Sequence, residues 1–169
     1  TLYRTQTSLG DPEDFVILTN HCKEYMDGFL RDGLYFHAPM LKWALNNEGA
    51  ASWSMIREMM SSGNMTDAER KVYEFNKSLN ITVGYTISFT SVSMRSKGAI
   101  SLASQNRTQQ DLDEMWAVHG RDILLMNNMA HLKILTLPYK PPNRALTKRQ
   151  REALEWVGDG KTTQDIALL

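Results

Sequence analysis

The runs Ile81-Thr-Val-Gly-Tyr-Thr-Ile-Ser-Phe89 and Gly98-Ala-Ile-Ser-Leu-Ala103 decide the fold class of this chain. Both are rich in β-branched and aromatic residues, and the polar segment Ser91–Lys97 joins them as a hairpin connection. The longest helical stretch follows, Gln109–Leu135, with Leu112, Met115, Trp116, His119, Ile123, Met126 and Leu132 near the core period. Strands grouped together and flanked by helices predict an antiparallel sheet covered by helices.

Upstream, Thr66-Asp-Ala-Glu69 has the form of a capping box: the Thr side chain accepts an early backbone N–H and Glu69 reaches back. The helix it opens carries Val72, Phe75, Asn76 and Leu79. Pro39 opens an earlier helix with Met40, Leu41, Trp43, Ala44 and Leu45, which Asn46–Gly49 closes. Before it, Cys22, Tyr25, Met26, Phe29 and Leu30 recur at helical spacing until Gly33. Thr1–Gln6 and Phe15–Thr19 alternate like two strands of a hairpin or meander, with Gly10-Asp11-Pro12 as turn chemistry between them.

Downstream the composition shifts. Thr136–Arg144 holds three of the five prolines, which resist both helix and sheet, so 136–145 reads as a linker between a domain at 1–135 and a partial one at 146–169. Thr147…Gln150 is a second capping pair, opening a helix with Ala153, Leu154, Trp156 and Val157. Gly158-Asp-Gly-Lys161 breaks it, and another helix begins at Thr162. Two short helices about a glycine-containing turn are the first half of a helix-turn-helix. The chain starts without Met in a strand-like run and stops at Leu168-Leu169 within a helical pattern, so a longer natural protein is expected.

Bulk properties exclude several classes. The 169 residues carry 19 Lys+Arg against 19 Asp+Glu, so any nucleic-acid-binding patch has to be local. Cys22 is the lone cysteine, which rules out an internal disulfide framework and fits a reducing cytoplasm. No apolar run approaches the roughly 20 residues of a membrane span. The histidines show no metal-ligand spacing, and no P-loop, dinucleotide fingerprint or nucleophile elbow occurs, so neither a metal site nor an enzyme is expected.

The tail Leu146-Thr147-x-Arg149-x-Arg151-Glu152-x-Leu154-x-Trp156, followed by Gly160-Lys161-Thr162 and Asp165-Ile166-Ala167, closely resembles the opening of the LuxR-type DNA-binding domain. The N-terminal part is similar to that family's acyl-homoserine-lactone-binding domain. The matching elements are Thr19-Asn20-His21, Ala38-Pro39-Met40, Ser52-Trp53, Glu69-Arg70…Tyr73, Gly84–Ser88 and Ile100–Ser104. The resemblance implies an α/β (α+β) fold: a five-stranded antiparallel sheet sandwiched between helices, then a partial all-α helix-turn-helix domain. It also implies a small signal enclosed between sheet and helices, without another cofactor. Base-reading residues would follow Leu169, while Lys161 and Thr162, at a helix start, are candidates for phosphate contact.

A lactone signal presents two carbonyls, an amide N–H and a lipid tail, and needs a few convergent polar groups in an apolar cavity. Trp53 matches the family's ring-packing Trp. Tyr25 stands where the family has a Trp N–H for the ring carbonyl, Phe29 where it has a Tyr hydroxyl, and Ala38 where it has an Asp for the amide N–H. Ser101 falls where a hydroxyl often faces the ligand, and His21 where an aromatic usually lies. Met26, Met40, Leu41, Val72, Ile81 and Thr86 complete the expected lining. A buried amide N–H without an acceptor costs about 1–3 kcal/mol, which disfavours an ordinary lactone in its ordinary pose; the expected ligand is a small, mostly apolar signal, an acyl-homoserine lactone or a differently built molecule, or none.

These residues together describe a ligand-responsive, DNA-binding transcription regulator of the quorum-sensing type, a divergent receptor acting as a cytoplasmic homodimer. The long helix, through Trp116, Met126 or Met129, is the candidate dimer contact. A second expectation is a truncated relative that pairs with a full-length regulator and blocks it.

Overall fold

The computed structural model describes residues 2–4, 15–91, 97–137 and 146–168. The chain divides into two compact units, Thr1–Leu137 and Pro138–Leu169. In the first, four antiparallel strands lie in the order β1-β4-β3-β2: β1 (Leu2–Arg4), β2 (Gly49–Ser52), β3 (Val83–Ser88) and β4 (Lys97–Ser104). The expected sheet of five strands is therefore one of four among the described residues. The run Phe15–Thr19 forms only a single bridge at Ile17, and β1 pairs with Lys97–Ala99 of β4 instead of with that run. Phe15 packs edge-on against Tyr35 at 5.5 Å, so its ring serves packing against the helical layer. The expected turn Gly10-Asp11-Pro12, most of the 136–145 linker and most of the Ser91–Lys97 connection lie outside the described residues.

Strand β3 sits between β2 and β4, and all six of its residues are buried. Successive side chains of a strand point to opposite faces. Tyr85 stacks on Trp116 and Phe89 on His131, both from α5 (Gln109–Leu135), which covers one face. Thr86 and Ser88 face the other way, and Ser88 donates to the Ala44 carbonyl of α2 (Pro39–Asn46) at 2.6 Å. The remaining helical segments of this layer are α1 (Lys23–Met26) with its continuation as a π turn (Asp27–Arg31), a 3-10 turn (Leu34–His37), α3 (Ser54–Ser61) and α4 (Asp67–Ser78). Gly33 ends the π turn at φ +74°, a conformation that glycine adopts without strain.

The capping box at Thr66 forms in full, and three more start helices in the same way: Thr108 with Asp111, Thr147 with Gln150, and Thr162 with Asp165. Glu69 does more than cap, because Lys42 of α2 reaches it at 2.9 Å and ties α2 to α4. The second unit contains α6 (Lys148–Gly158) and α7 (Thr163–Ala167), with Gly160 at φ +81° between them. Leu154, Trp156 and Val157, the apolar content expected of α6, are exposed, because two short helices cannot enclose them. No helix among the described residues is long and apolar enough to cross a membrane.

Two consequences are measurable. A Cβ at Gly84 would collide with the Leu102 main-chain oxygen on the neighbouring strand and lie 3.1 Å from the Trp53 ring. Gly84→Ala is thus expected to lower the unfolding free energy by at least about 2 kcal/mol in urea titrations. The main-chain N–H of Thr66, helped by Lys42 and the Thr66 hydroxyl against the opposing effect of burial, holds the Glu69 carboxyl at about 2, well below 4.5. A group ionised more readily in the folded chain stabilises it above the unfolded-state value, and that contribution disappears as pH falls through the folded one. Acid should therefore remove this stabilisation between pH 4.5 and about 2. Glu69→Gln should cost about 1–3 kcal/mol at pH 7, with the difference from wild type shrinking across that window.

Candidate signal-binding cavity

Between the sheet and the layer of α1, α2 and α4 lies a cavity of about 480 Å³. Every ligand-facing residue expected from the sequence lines it. His21, Tyr25, Met26 and Phe29 come from α1, its flanks and the π turn, and Ala38, Met40 and Leu41 from the start of α2. Trp53 comes from the cap of α3, Val72 from α4, Ile81 from the turn before β3, Thr86 from β3 and Ser101 from β4. No Asp, Glu, Lys or Arg is among the described residues of the lining.

The helical wall is aromatic. His21 stacks on Tyr25 at 4.3 Å and Tyr25 on Phe29 at 5.3 Å, the spacing of four residues placing all three on one face. Tyr25 also meets Phe75 of α4 at 5.8 Å. Gly28 makes this approach feasible, since a Cβ there would come within 2.5 Å of the Phe75 ring. Burial pushes the Tyr25 phenol up to about 12 and lowers the His21 imidazole, so both are neutral at pH 7 and the wall carries no charge.

The sheet wall supplies hydroxyls. The Trp53 indole N–H donates to the Thr86 Oγ1 at 2.9 Å, and that oxygen lies 3.3 Å from the Ser101 Oγ. Trp53 packs on Gly84 and, with Met40 and Ile81, forms a buried cluster that Tyr25 and Ile56 adjoin. Its ring is therefore a fixed wall, and its N–H is already spent on Thr86.

Polar chemistry concentrates on the opposite face of the sheet. The Asp113 Oδ1 accepts from the Tyr85 hydroxyl at 2.6 Å, the Ser52 hydroxyl at 2.8 Å and the Gln109 amide at 2.9 Å. Burial raises the Asp113 carboxyl, but these three bonds outweigh it and hold the group below its ordinary value. The Tyr85 phenol, buried and bonded to that carboxylate, is pushed up to about 12. This cluster supports Trp53 from behind and does not line the cavity.

Sequence reasoning missed part of the lining. Ile17–Thr19, expected as strand, contribute to it with Asn20, and so do Ala130 and Ile134 near the end of α5. Asn76 also lines it, one helical turn beyond Val72; that spacing of four was the signal available. The expected core face of α5 also needs correction. Met115, Met126 and Leu132 are exposed and so is His119, while Gln109, Gly120 and His131 are buried with Leu112. Trp116, proposed for a dimer contact, lies against Tyr85 instead. Lys161 and Thr162 belong to the second unit. Both are exposed, and the Thr162 hydroxyl is engaged with Asp165, accepting its N–H at 3.2 Å and donating to its carboxylate at 2.7 Å. Among the described residues no cluster of His, Cys, Asp and Glu gathers ligands for a metal.

Comparison with known proteins agrees with this geometry. Residues 1–134 match the family model described as autoinducer binding domain. The chain is 23% identical to the transcriptional activator protein ExpR of Dickeya dadantii (strain 3937), and 22% identical to the transcriptional activator protein EchR of Dickeya chrysanthemi. In each case 94% of this chain aligns, and it spans 65% of the relative's length. A sheet-and-helix domain enclosing an apolar cavity, matched over almost its entire length by that model, belongs to the autoinducer-binding domain family of the LuxR-type quorum-sensing regulators.

Proposed function

We propose that this chain is the sensing part of a ligand-responsive, DNA-binding transcription regulator, and that its cavity takes a small, mostly apolar signal other than an ordinary acyl-homoserine lactone. The observation that carries this reading is the cavity of about 480 Å³ with no Asp, Glu, Lys or Arg among the described residues of its lining. Where the family offers an Asp to the signal's amide N–H, Ala38 presents a methyl group; where it offers a Tyr hydroxyl, Phe29 presents only a ring. An ordinary lactone would lose both bonds. α6, α7 and the glycine turn between them support the reading of 146–169 as the start of a helix-turn-helix, with Lys161 and Thr162 near phosphate.

The regulator acts as a homodimer through α5. Met115, Val118, Leu125, Met129 and Leu132 are all exposed. With Asp122 they fall at two interleaved spacings of seven, 115-122-129 and 118-125-132, the repeat of a packed helix seam. A ligand that binds only the folded sensor stabilises it by mass action, by about 2.7 kcal/mol at a hundred times its Kd. Occupancy would thereby hold the paired sensors, and so two DNA-binding domains, in place.

Thermal melts and mass spectrometry of small molecules carried through purification test the signal. Ordinary acyl-homoserine lactones are expected to shift the melting temperature little, and Ala38→Asp with Phe29→Tyr should increase that shift. Strong stabilisation of the wild type by such lactones would sink the non-standard-signal reading. For the dimer, Leu125→Glu with Met129→Glu should move the chain to a monomer in sedimentation without lowering its melting temperature by more than a few degrees. A dimer that persists would reject α5 as the seam.

A further inference from the structure

The cavity wall contains one unmet acceptor. The Asn76 side-chain oxygen is fully buried and has no hydrogen-bond partner, the one such side-chain atom among the described residues. Buried acceptors are ordinarily satisfied, and an exception points to a ligand, a water or a functional strain. Asn76 is well anchored: its main-chain carbonyl accepts the Ile81 N–H at 2.8 Å, and Ile81 packs in the cluster with Met40 and Trp53. The residue thus belongs to the α4 wall of the cavity, in the same lining as Trp53, Thr86 and Ser101. Rotation about its last torsion exchanges oxygen and nitrogen, so either can be turned to the cavity.

We infer that Asn76 is the polar recognition residue of this cavity, and that the ligand is a neutral, mainly apolar molecule with an N–H or O–H donor that this carboxamide receives. The inference rests on the reading of the cavity as the signal site, and deepens it. Without a charge in the wall, an ionised head group has no counter-charge to leave water for. With Trp53 committed to Thr86, and alanine and phenylalanine at positions 38 and 29, the Asn76 oxygen is the fully buried side-chain acceptor that the described lining leaves without a donor. Recognition is thus moved from the start of α2, where the family keeps its acceptor, to α4. A wholly apolar residue at 76 would make a more stable empty protein, since a buried acceptor without a donor is destabilising.

Decanamide and N,N-dimethyldecanamide share a carbonyl and a tail, and only the first has N–H donors. Their displacement of Nile red from the full chain is measured for wild type, Asn76→Leu and Asn76→Ala. The wild type should prefer decanamide, and both variants should reduce that preference by about tenfold while still binding the dimethyl compound. Asn76→Leu should also raise the melting temperature of the unliganded chain. A preference unchanged in both variants overturns the role of Asn76 and leaves the cavity reading standing. Failure of either amide to displace the dye from wild type overturns the cavity reading itself.

Discussion

Gln109 and Gly84 are the contact on which the rest of the sensor depends. Strand β2 ends at Ser52, where the chain turns into α3, so the central strand β3 would have an unpaired edge from there on. The Gln109 carboxamide takes the place of the missing strand: it accepts the Gly84 N–H at 2.9 Å and donates to the Gly84 carbonyl at 3.1 Å. The same carbonyl receives the Trp53 N–H at 3.0 Å. Gln109 is the first residue of α5 and is almost fully buried, so the longest helix is fastened to the sheet by its first turn. Glycine is required at the other end of the bond because a Cβ there would collide with the Leu102 main-chain oxygen and press on the Trp53 ring.

The separation of polar and apolar chemistry follows from that junction. Asp113 lies one turn beyond Gln109 on α5 and so falls under Ser52 and Tyr85, where it gathers their hydroxyls. A carboxylate with three donors is inexpensive to bury, and one with none is not. The charge that this region needs is therefore held behind the sheet, and Trp53 forms the partition. In front of it remain the hydroxyls of Thr86 and Ser101 and the neutral aromatic stack of His21, Tyr25 and Phe29.

Much of this was legible in the sequence where one local force dominated. The residues of α5, the Pro39 start and the Thr66 box were fixed by caps and periodicity, and the structure places all the expected lining residues around one cavity. What could not be read depended on partners distant in sequence. Gly49-Ala-Ala-Ser52 has almost no β-propensity, and it becomes a strand because β3 offers it a ladder from Tyr85 to Ser88. Phe15–Thr19 has the propensity, and among the described residues it forms no more than the bridge at Ile17. On α5 the pattern misled because apolar residues occupy both faces, so periodicity could not tell the sheet side from the exposed stripe. The Asp27–Arg31 π turn left no sequence mark beyond Gly28, whose missing side chain admits Phe75.

The two faces of α5 also join the cavity to the exposed stripe. Ala130, itself exposed, and the half-buried Ile134 reach the cavity lining, and Met129 and Leu132 on the same two turns are exposed. A helix turn is stiff, so a displacement of one face by even a fraction of an ångström is carried to the other. The beginning of α5 cannot yield, since Gln109 and Asp113 are fixed under Gly84 and Ser52. Any response to what fills the cavity must therefore appear near its C-terminal end, beside His131 and Phe89. There the His131 ring fills the space that a side chain at Gly98 would need, so the packing has little slack to absorb a shift. The contact between Gln109 and Gly84 thus determines which end of the helix can report on the cavity.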